Sequence, residues 1–420
     1  MRIEPSRISG AIDAPPSKSM MQRALIAAGL ADGETLITNP SFCDDALATM
    51  SVVDTLGAQI AREERGVRVL GRCQPNGDVL DCGESGTCMR MIAAVAALQD
   101  REYSITGRGS LMKRPVGMIE SPLKALGAKV STGDGLPPVK VRGPIHGGAI
   151  DVDGSESSQS ISGLLMALPI CREDSELKTL NLKSRAYVDM TLLILERFKI
   201  DVKAKSERSG DEGGADDAMA YIIRGGQDYK SCTFNVEGDW SGSAFMLVAG
   251  AIAGDVSLRN LGPGRQPDEA IKKVLEEAGA HVSEGGGEVM VKRGALDAFE
   301  YDATGSPDLF PPLAALACSC EGTSVIRGVG RLRHKESDRA EALRSELGRM
   351  GADISIDGDR MLVTGRKLKG GNVGSHNDHR IAMACAVAAL RSERGVEIDD
   401  VGCVSKSYPG FFEDLKRLMI

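Results

Sequence analysis

The sequence predicts an α/β protein of two similar domains, with apolar helices packed inside and sheets outside. Three observations carry this. A chain of 420 residues exceeds what one hydrophobic core usually organises. A small-residue helix, a Gly or charged turn and a short β-prone run recur six times, at a spacing of about 70 residues. Each copy also holds a second, amphipathic helix that leads into another strand, so helices and strands alternate throughout.

In the first half the apolar helices and their following strands fall at 24–30 and 33–38, 89–98 and 101–106, and 161–168 and 175–180. In the second half they fall at 244–253 and 255–258, 313–320 and 323–327, and 381–390 and 395–398. These helices carry little charge on any face, which requires burial on nearly every side. The amphipathic helices end in Leu56-Gly57-Ala58, Leu126-Gly127-Ala128, Ala278-Gly279-Ala280 and Met350-Gly351-Ala352, with Phe198-Lys199-Ile200 as a degenerate copy. Gly there closes a helix in a left-handed cap before the next strand. The sixth copy, 411–420, stops where its strand should begin, and residues 2–9 are the candidate to supply it. The expected domains are therefore 14–233, and 1–13 with 234–420. The chain crosses between them twice, through hinge strands near 10–14 and 234–239. Residues 206–217 read as an acidic, Gly-rich surface loop.

Composition narrows the function. Aromatics make up 4% and the net charge is −8, which suits neither base stacking nor neutralisation of a phosphate backbone. A small anion is still within reach, because a few cations focus locally in an acidic protein. No run approaches the ~18 apolar residues of a membrane span, and the first residues lack a signal-peptide layout. The expected location is the cytoplasm. The ten Cys are scattered, and the CxC pair Cys318 and Cys320 lies in an apolar run without a matching pair; buried thiols are expected, and no metal.

The chemistry lies at one phase of the repeat. Each apolar helix is preceded by a polar loop: Ser17-Lys18-Ser19, Gly83-Glu84-Ser85-Gly86-Thr87, Ser155-Glu156-Ser157-Ser158-Gln159, Asp239-Trp240-Ser241, Gly305-Ser306-Pro307-Asp308 and His376-Asn377-Asp378-His379-Arg380. Capping alone explains the Ser and Asp residues. It does not explain the Lys, Arg and His beside them, since cations are disfavoured at the positive end of a helix. A bound anion accounts for both. Charged clusters also open amphipathic helices, at Lys113-Arg114-Pro115, Lys335-Glu336-Ser337-Asp338-Arg339 and Lys406-Ser407-Tyr408-Pro409. Arg114, with Pro at the first helical position, is placed to present its guanidinium to a carboxylate or phosphate. The residues alone thus predict a cleft for a multiply anionic small molecule, with Lys18, Asp308, Glu336 and His379 as candidate acid/base groups. Gly107-Arg108-Gly109 lacks the third Gly of a dinucleotide fingerprint.

Over essentially its whole length the chain resembles the 5-enolpyruvylshikimate-3-phosphate synthase family. The strings that carry the resemblance are Pro16-Ser17-Lys18-Ser19 with Arg23, Gly86-Thr87 with Arg90, and Asp151-Val152-Asp153-Gly154-Ser155 with Ser157-Ser158-Gln159. Lys335-Glu336-Ser337-Asp338-Arg339 and Asn377-Asp378-His379-Arg380 complete them. The resemblance implies three βαβαββ units per domain, with buried parallel helices. It implies enolpyruvyl transfer from phosphoenolpyruvate (PEP) to shikimate 3-phosphate in aromatic amino-acid biosynthesis. By the same resemblance Lys18, Ser19, Arg23, Ser157, Ser158, Gln159, Ser184, Tyr187, Asp308 and Lys335 surround shikimate 3-phosphate. Lys18, Gly86, Arg114, Gln159, Arg339, Arg380 and Lys406 hold PEP, with Thr87, Arg90, Asp378 and His379 in support. Lys18, Asp308 and Glu336 are the catalytic set. No cofactor is needed, because PEP brings its own activated enol, and a monomer is expected.

Glu84, Gln22, Met91 and Arg331 depart from the commonest family pattern. A carboxylate at Glu84 would repel PEP unless turned away or paired, whereas Gly86 points to sensitivity to the herbicide glyphosate. The nearest rival is the related UDP-N-acetylglucosamine enolpyruvyl transferase family, which has Lys-Asn in place of Lys18-Ser19 and a reactive Cys in the region that here is 107–114. A non-catalytic phosphate- or RNA-binding relative is disfavoured by the charge and by the joint presence of Lys18, Asp308 and Glu336.

Overall fold

The computed structural model describes residues 1–207, 218–262 and 266–420; most of the expected 206–217 loop lies outside them. The chain divides into two compact units, Lys18–Val236 and Met1–Ser17 with Glu237–Ile420. Each has its own hydrophobic core.

In the Lys18–Val236 unit the central helices are Lys18–Leu30, Gly86–Ala96 and Ser158–Ala167. Small residues let them lie close. All of Gly86–Ala96 except Thr87 is buried, so the helix has no solvent face, as its lack of polar periodicity requires. Around them stand three four-stranded sheets of one plan. Val79–Asp81 runs parallel to Glu102–Thr106, which pairs antiparallel with Leu136–Arg142, and Lys129–Gly133 forms the edge. Leu136–Arg142 alternates strictly, with Pro137, Val139 and Val141 turned to the core, the period of two that a one-sided strand demands. Ala149–Asp153, Ser175–Leu180, Ala218–Ile223 and Val202–Glu207 repeat the plan. In the remaining sheet the leading strand, Thr233–Asn235, comes from the far end of the unit to lie beside Glu34–Thr38.

The second unit packs Trp240–Ala253, Phe310–Ala317 and His379–Ala389 at its centre. Its first sheet takes Ile8–Asp13 as a parallel neighbour of Gly254–Arg259. Its last sheet is short: Gly371–Val373 runs parallel to Val396–Ile398, and Arg2–Ile3 closes the other side antiparallel. The helix Phe411–Leu418 then leads into a bridge between Met419 and Ile8.

Gly57, Gly127, Gly279 and Gly351 take φ of 108°, 98°, 92° and 97°, and Lys199 at the degenerate copy takes 65°. All five lie in the left-handed region that ends a helix. The two crossing segments pair with each other before they leave the second unit. Ser17 N–H donates to the Glu237 carbonyl at 2.8 Å and Asp239 N–H to that of Pro15 at 2.7 Å. Gln266 braces both: its side chain bonds the Ser17 hydroxyl, the Trp240 N–H and the Gly238 carbonyl. The boundaries between the units fall at Ser17/Lys18 and Val236/Glu237.

The early strand Ile8–Asp13 is admitted by Gly254, where an added Cβ would stand 1.9 Å from the Ile8 carbonyl oxygen. Gly254→Ala is expected to destabilise the second unit by about 1–3 kcal/mol through this overpacking. Urea unfolding that leaves the midpoint unchanged would remove the account.

Candidate active site

Four of the loops before the central helices are capped by their own side chains. Ser85 accepts from Cys88 N–H at 3.3 Å, Ser157 from Gln159 N–H at 3.2 Å, Asp239 from Gly242 N–H at 2.8 Å and Asp378 from Arg380 N–H at 3.0 Å. The cations beside them are not needed as caps and sit at the dipole end that repels them.

In the Lys18–Val236 unit these cations form two linked groups. Arg23 is 1% exposed and donates to Thr191 Oγ1 at 2.8 Å and to the carbonyls of Ser19 and Tyr187 at 3.0 and 3.2 Å. Among the described residues no carboxylate pairs with it. Burial pushes its pKa down to about 10, so it stays a cation at neutral pH, held only by neutral oxygens. Lys18, at the start of the same helix, lies 3.1 Å from Asp45. The second group centres on Gln159, which accepts from Arg90 at 2.7 Å and donates to Thr87 at 2.8 Å. Arg90 also donates to the Pro115 carbonyl, tying that network to the segment that carries Arg114. Gly86 makes room here. A Cβ on it would lie 2.8 Å from Arg90 Nη1 and 3.0 Å from Arg114 Cζ and Nη2. Ser158 and Ser184 are buried at their helix starts.

The second unit assembles a denser network. Asp308 accepts from Arg339 at 2.9 Å and from Arg380 at 3.0 Å, with Lys335 at 3.8 Å. Arg339 is 1% exposed and also donates to Asp378 and Glu336. Burial alone would lower its pKa; Asp378, Glu336 and Asp308 outweigh that and raise it. Ser337 donates to Asp378 at 3.0 Å. His379 is fully buried, its Nδ1 3.7 Å from Asp378, and Lys406 is buried at the end of the turn Val401–Lys406.

One sequence expectation needs adjusting, and the positions that depart from the family pattern find their places. Pro115 does not open a helix, since Val116 and Gly117 N–H are taken by the Gly135 carbonyl and helical structure starts at Gly117. Arg114 is thus held extended. Glu84 turns to the segment before Arg114, accepting from Ser110 N–H and hydroxyl at 3.3 and 3.0 Å. Gln22 is fully buried and bonds the Asp45 carbonyl, Thr49 and Ser85, so its role is to join helix starts. Met91 is core, and Arg331 lies in the turn Val329–Leu332.

The structure adds residues that sequence reasoning missed. Glu346, buried in an amphipathic helix, accepts from Gly374 N–H at 2.7 Å and bonds His376 at 2.8 Å, anchoring the loop before Asp378. His376 and Asn377 there take φ of 56° and 51°, a strained pair that needs such an anchor. Asp268, 1% exposed, accepts from the Ser241 hydroxyl. Its other oxygen has no partner among the described residues.

A family model described as EPSP synthase (3-phosphoshikimate 1-carboxyvinyltransferase) matches residues 3–415. A 3-phosphoshikimate 1-carboxyvinyltransferase of Methanocorpusculum labreanum is 39% identical, over 98% of this chain and 97% of that one. One from Clostridium perfringens is 37% identical, over 99% and 97%. Among solved structures, EPSP synthase from Acinetobacter baumannii superposes with a TM-score of 0.81 at 28% identity, covering 100% of this chain and 98% of that one. The enolpyruvyl transferase NikO from Streptomyces tendae, 16% identical over 99% and 96% with a TM-score of 0.77, shares the fold.

Burial, then the charge of Asp308, raises the Asp268 carboxyl from 3.8 to about 7, against the opposing pull of Arg380 and Ser241; Asp239 adds to the rise. A folded value above the unfolded one means that ionising Asp268 costs stability. The cost starts as pH rises past the unfolded value and is complete above the folded one. Asp268→Asn should therefore melt above the wild type at pH 8, by a margin that shrinks towards pH 4. Thermal melts across that range giving a constant difference would count against it.

Proposed function

The chain belongs to the EPSP synthase (3-phosphoshikimate 1-carboxyvinyltransferase) family, and we propose that its two charged networks divide that family's reaction between them. The enzyme transfers the enolpyruvyl group of PEP to shikimate 3-phosphate and releases phosphate. The observation that carries the division is Arg23, a buried cation that among the described residues bonds only neutral oxygens. It is suited to an anionic substrate, because among the described residues no carboxylate of the protein takes that substrate's place. Ser157, Ser158, Ser184 and Tyr187, with Ser19 and Lys18, complete the seat for shikimate 3-phosphate.

Most of the acid/base work belongs to the carboxylate-rich network, and Lys18 of the other unit shares in it. In the first step the substrate hydroxyl oxygen bonds C2 of PEP and gives up its proton, while the methylene carbon gains one. In the second the new methyl group loses a proton and the bond from C2 to the phosphate oxygen breaks. One group must therefore donate to that carbon and later accept from it, which calls for a titratable side chain held in place. Glu336 and Lys18 take this proton traffic and the leaving phosphate, and Asp308 takes the hydroxyl proton, with Lys335 beside it. Arg114, Arg339, Arg380 and Lys406 hold the PEP carboxylate and phosphate, and Gln159 bonds both substrates. To bind, PEP takes up guanidinium donors that now serve Asp308, Glu336 and Asp378. Those carboxylates are then freer to move protons. Asp378 and His379 set the Arg380 helix start, and Thr87 and Arg90 set Gln159. The enzyme works as a cytoplasmic monomer without a cofactor, and glyphosate inhibits it. No helix among the described residues is long and apolar enough to cross a membrane.

The direct test is phosphate release by the pure protein given PEP and shikimate 3-phosphate. Release with UDP-N-acetylglucosamine as acceptor instead would overturn the assignment. Asp308→Asn is expected to lower kcat by about 10²–10⁴ while substrate binding persists, the loss typical of a removed general base; rapid-quench turnover at saturating substrates checks it. Gly86→Ala should push the Arg90 and Arg114 guanidiniums aside and raise KM for PEP more than KM for shikimate 3-phosphate. Equal rises in steady-state kinetics would argue against a PEP-specific role for Gly86.

A further inference from the structure

At the ends opposite their capped starts, the central helices of each unit border a cavity. In the Lys18–Val236 unit it measures about 470 Å³ and is largely apolar, walled by Ile26, Leu30, Val53, Leu56, Ile92 and Val95. Its one cation, Arg72, is paired with Asp228 at 2.8 Å.

The counterpart in the second unit is different in kind. It measures about 720 Å³ and lies where Ile252, Cys318 and Leu390 close the three central helices. Its wall carries Arg7, Arg293, Arg366, Lys367 and Arg391 against a single carboxylate, Glu321. Arg366 is paired with Asp353, and Lys367 with Glu393 at 3.3 Å. Among the described residues, no carboxylate lies within salt-bridge distance of Arg7, Arg293 or Arg391. Burial and the nearby charges of Arg293 and Arg7 lower the pKa of Arg391, the mark of cations crowded without a counter-charge.

Helix ends do not account for this. Three helix C-termini together present at most about 1.5 negative charges. Among the described residues, the corresponding three ends in the other unit are closed by a wall with one ion pair and no surplus cation. The repeat therefore does not require the cluster, and a chain of net charge −8 has nonetheless gathered it on one concave wall. The three guanidiniums come from segments far apart in sequence: the stretch before Ile8–Asp13, the end of Glu288–Lys292 and the end of His379–Ala389.

We propose that this cavity is a second anion site, which takes a small phosphorylated molecule between Arg7, Arg293 and Arg391. Guanidinium forks match phosphate oxygens in bidentate fashion, and the volume falls within the roughly 300–1,000 Å³ of small-molecule sites. None of these residues belongs to the networks assigned to the reaction, so the site is independent of that assignment. Because it joins the Arg7 segment to two other parts of the unit, ligand binding also stabilises the unit by mass action.

Inorganic pyrophosphate is the probe, titrated calorimetrically into the full chain at constant ionic strength, with chloride as the control. Wild type is expected to bind it more tightly than about 1 mM. Arg114→Ala, at the candidate active site, should retain that binding. The double variant Arg293→Ala/Arg391→Ala, and separately Arg7→Glu, should weaken it at least tenfold while keeping wild-type turnover, which also shows that they fold. Absence of binding beyond the chloride control overturns the proposal, as does loss of binding in Arg114→Ala. Undiminished binding in both the double variant and Arg7→Glu overturns it too.

Discussion

Burying three helices side by side leaves their first backbone N–H groups without partners inside each helix, and a buried donor left unmade is costly. That demand organises the rest of each unit. It selects Ser85, Ser157, Asp239 and Asp378 as caps and gathers polar loops at one phase of every repeat. It also supplies a local positive potential in which substrate oxyanions are welcome. The sheets are the other half of the same solution. Their strands cover helices that have no solvent face, and turn their charged side chains outward.

The two networks answer the cost of buried charge in opposite ways. Arg23 is left with neutral partners, and its proton is loosened by burial. Arg339 is surrounded by three carboxylates, and its proton is tightened. The first state favours an incoming anion, while the second is already compensated and must be rearranged by one. The proposed division, with shikimate 3-phosphate seated by the first network and protons moved by the second, asks for those two states respectively. A single uniformly paired cluster would serve neither well, because paired charges in a protein interior resist change.

Much of this was legible in the chain. The left-handed closures at Gly57, Gly127, Gly279 and Gly351 follow from one tripeptide signature, and Lys199 adopts the same geometry where the signature decays. The family strings named Lys18, Arg23, Arg90, Gln159, Glu336, Arg339, Asp378 and Arg380, since short motifs keep their residues adjacent, but not Asp45, Thr191 or Asp308. What stayed hidden were contacts made across repeats. Nothing in the neighbourhood of Glu346 announces His376, and Asp268 looks like an ordinary acid in a Pro-Asp-Glu turn. Gln22 is visible in the chain only as a departure from the family pattern, and nothing there shows that its amide bonds Asp45, Thr49 and Ser85. Local periodicity also misplaced the helix after Arg114, because the Gly135 carbonyl that takes the Val116 and Gly117 donors belongs to a hairpin turn further along.

The strand Ile8–Asp13 has a consequence for the order in which the molecule is made. Ser9 hydrogen-bonds Asp255, a partner 246 residues away. At about 5–20 residues per second of synthesis, the early strand waits on the order of 10–50 seconds beside the ribosome before its neighbour exists. The whole of Lys18–Val236 is translated in that interval, and its sheets close within their own segment. The nascent chain therefore holds a finished unit flanked by an unpaired strand, with Arg7 and Asp13 at its ends to discourage association with other chains. Synthesis builds the inner segment first and the enclosing one last.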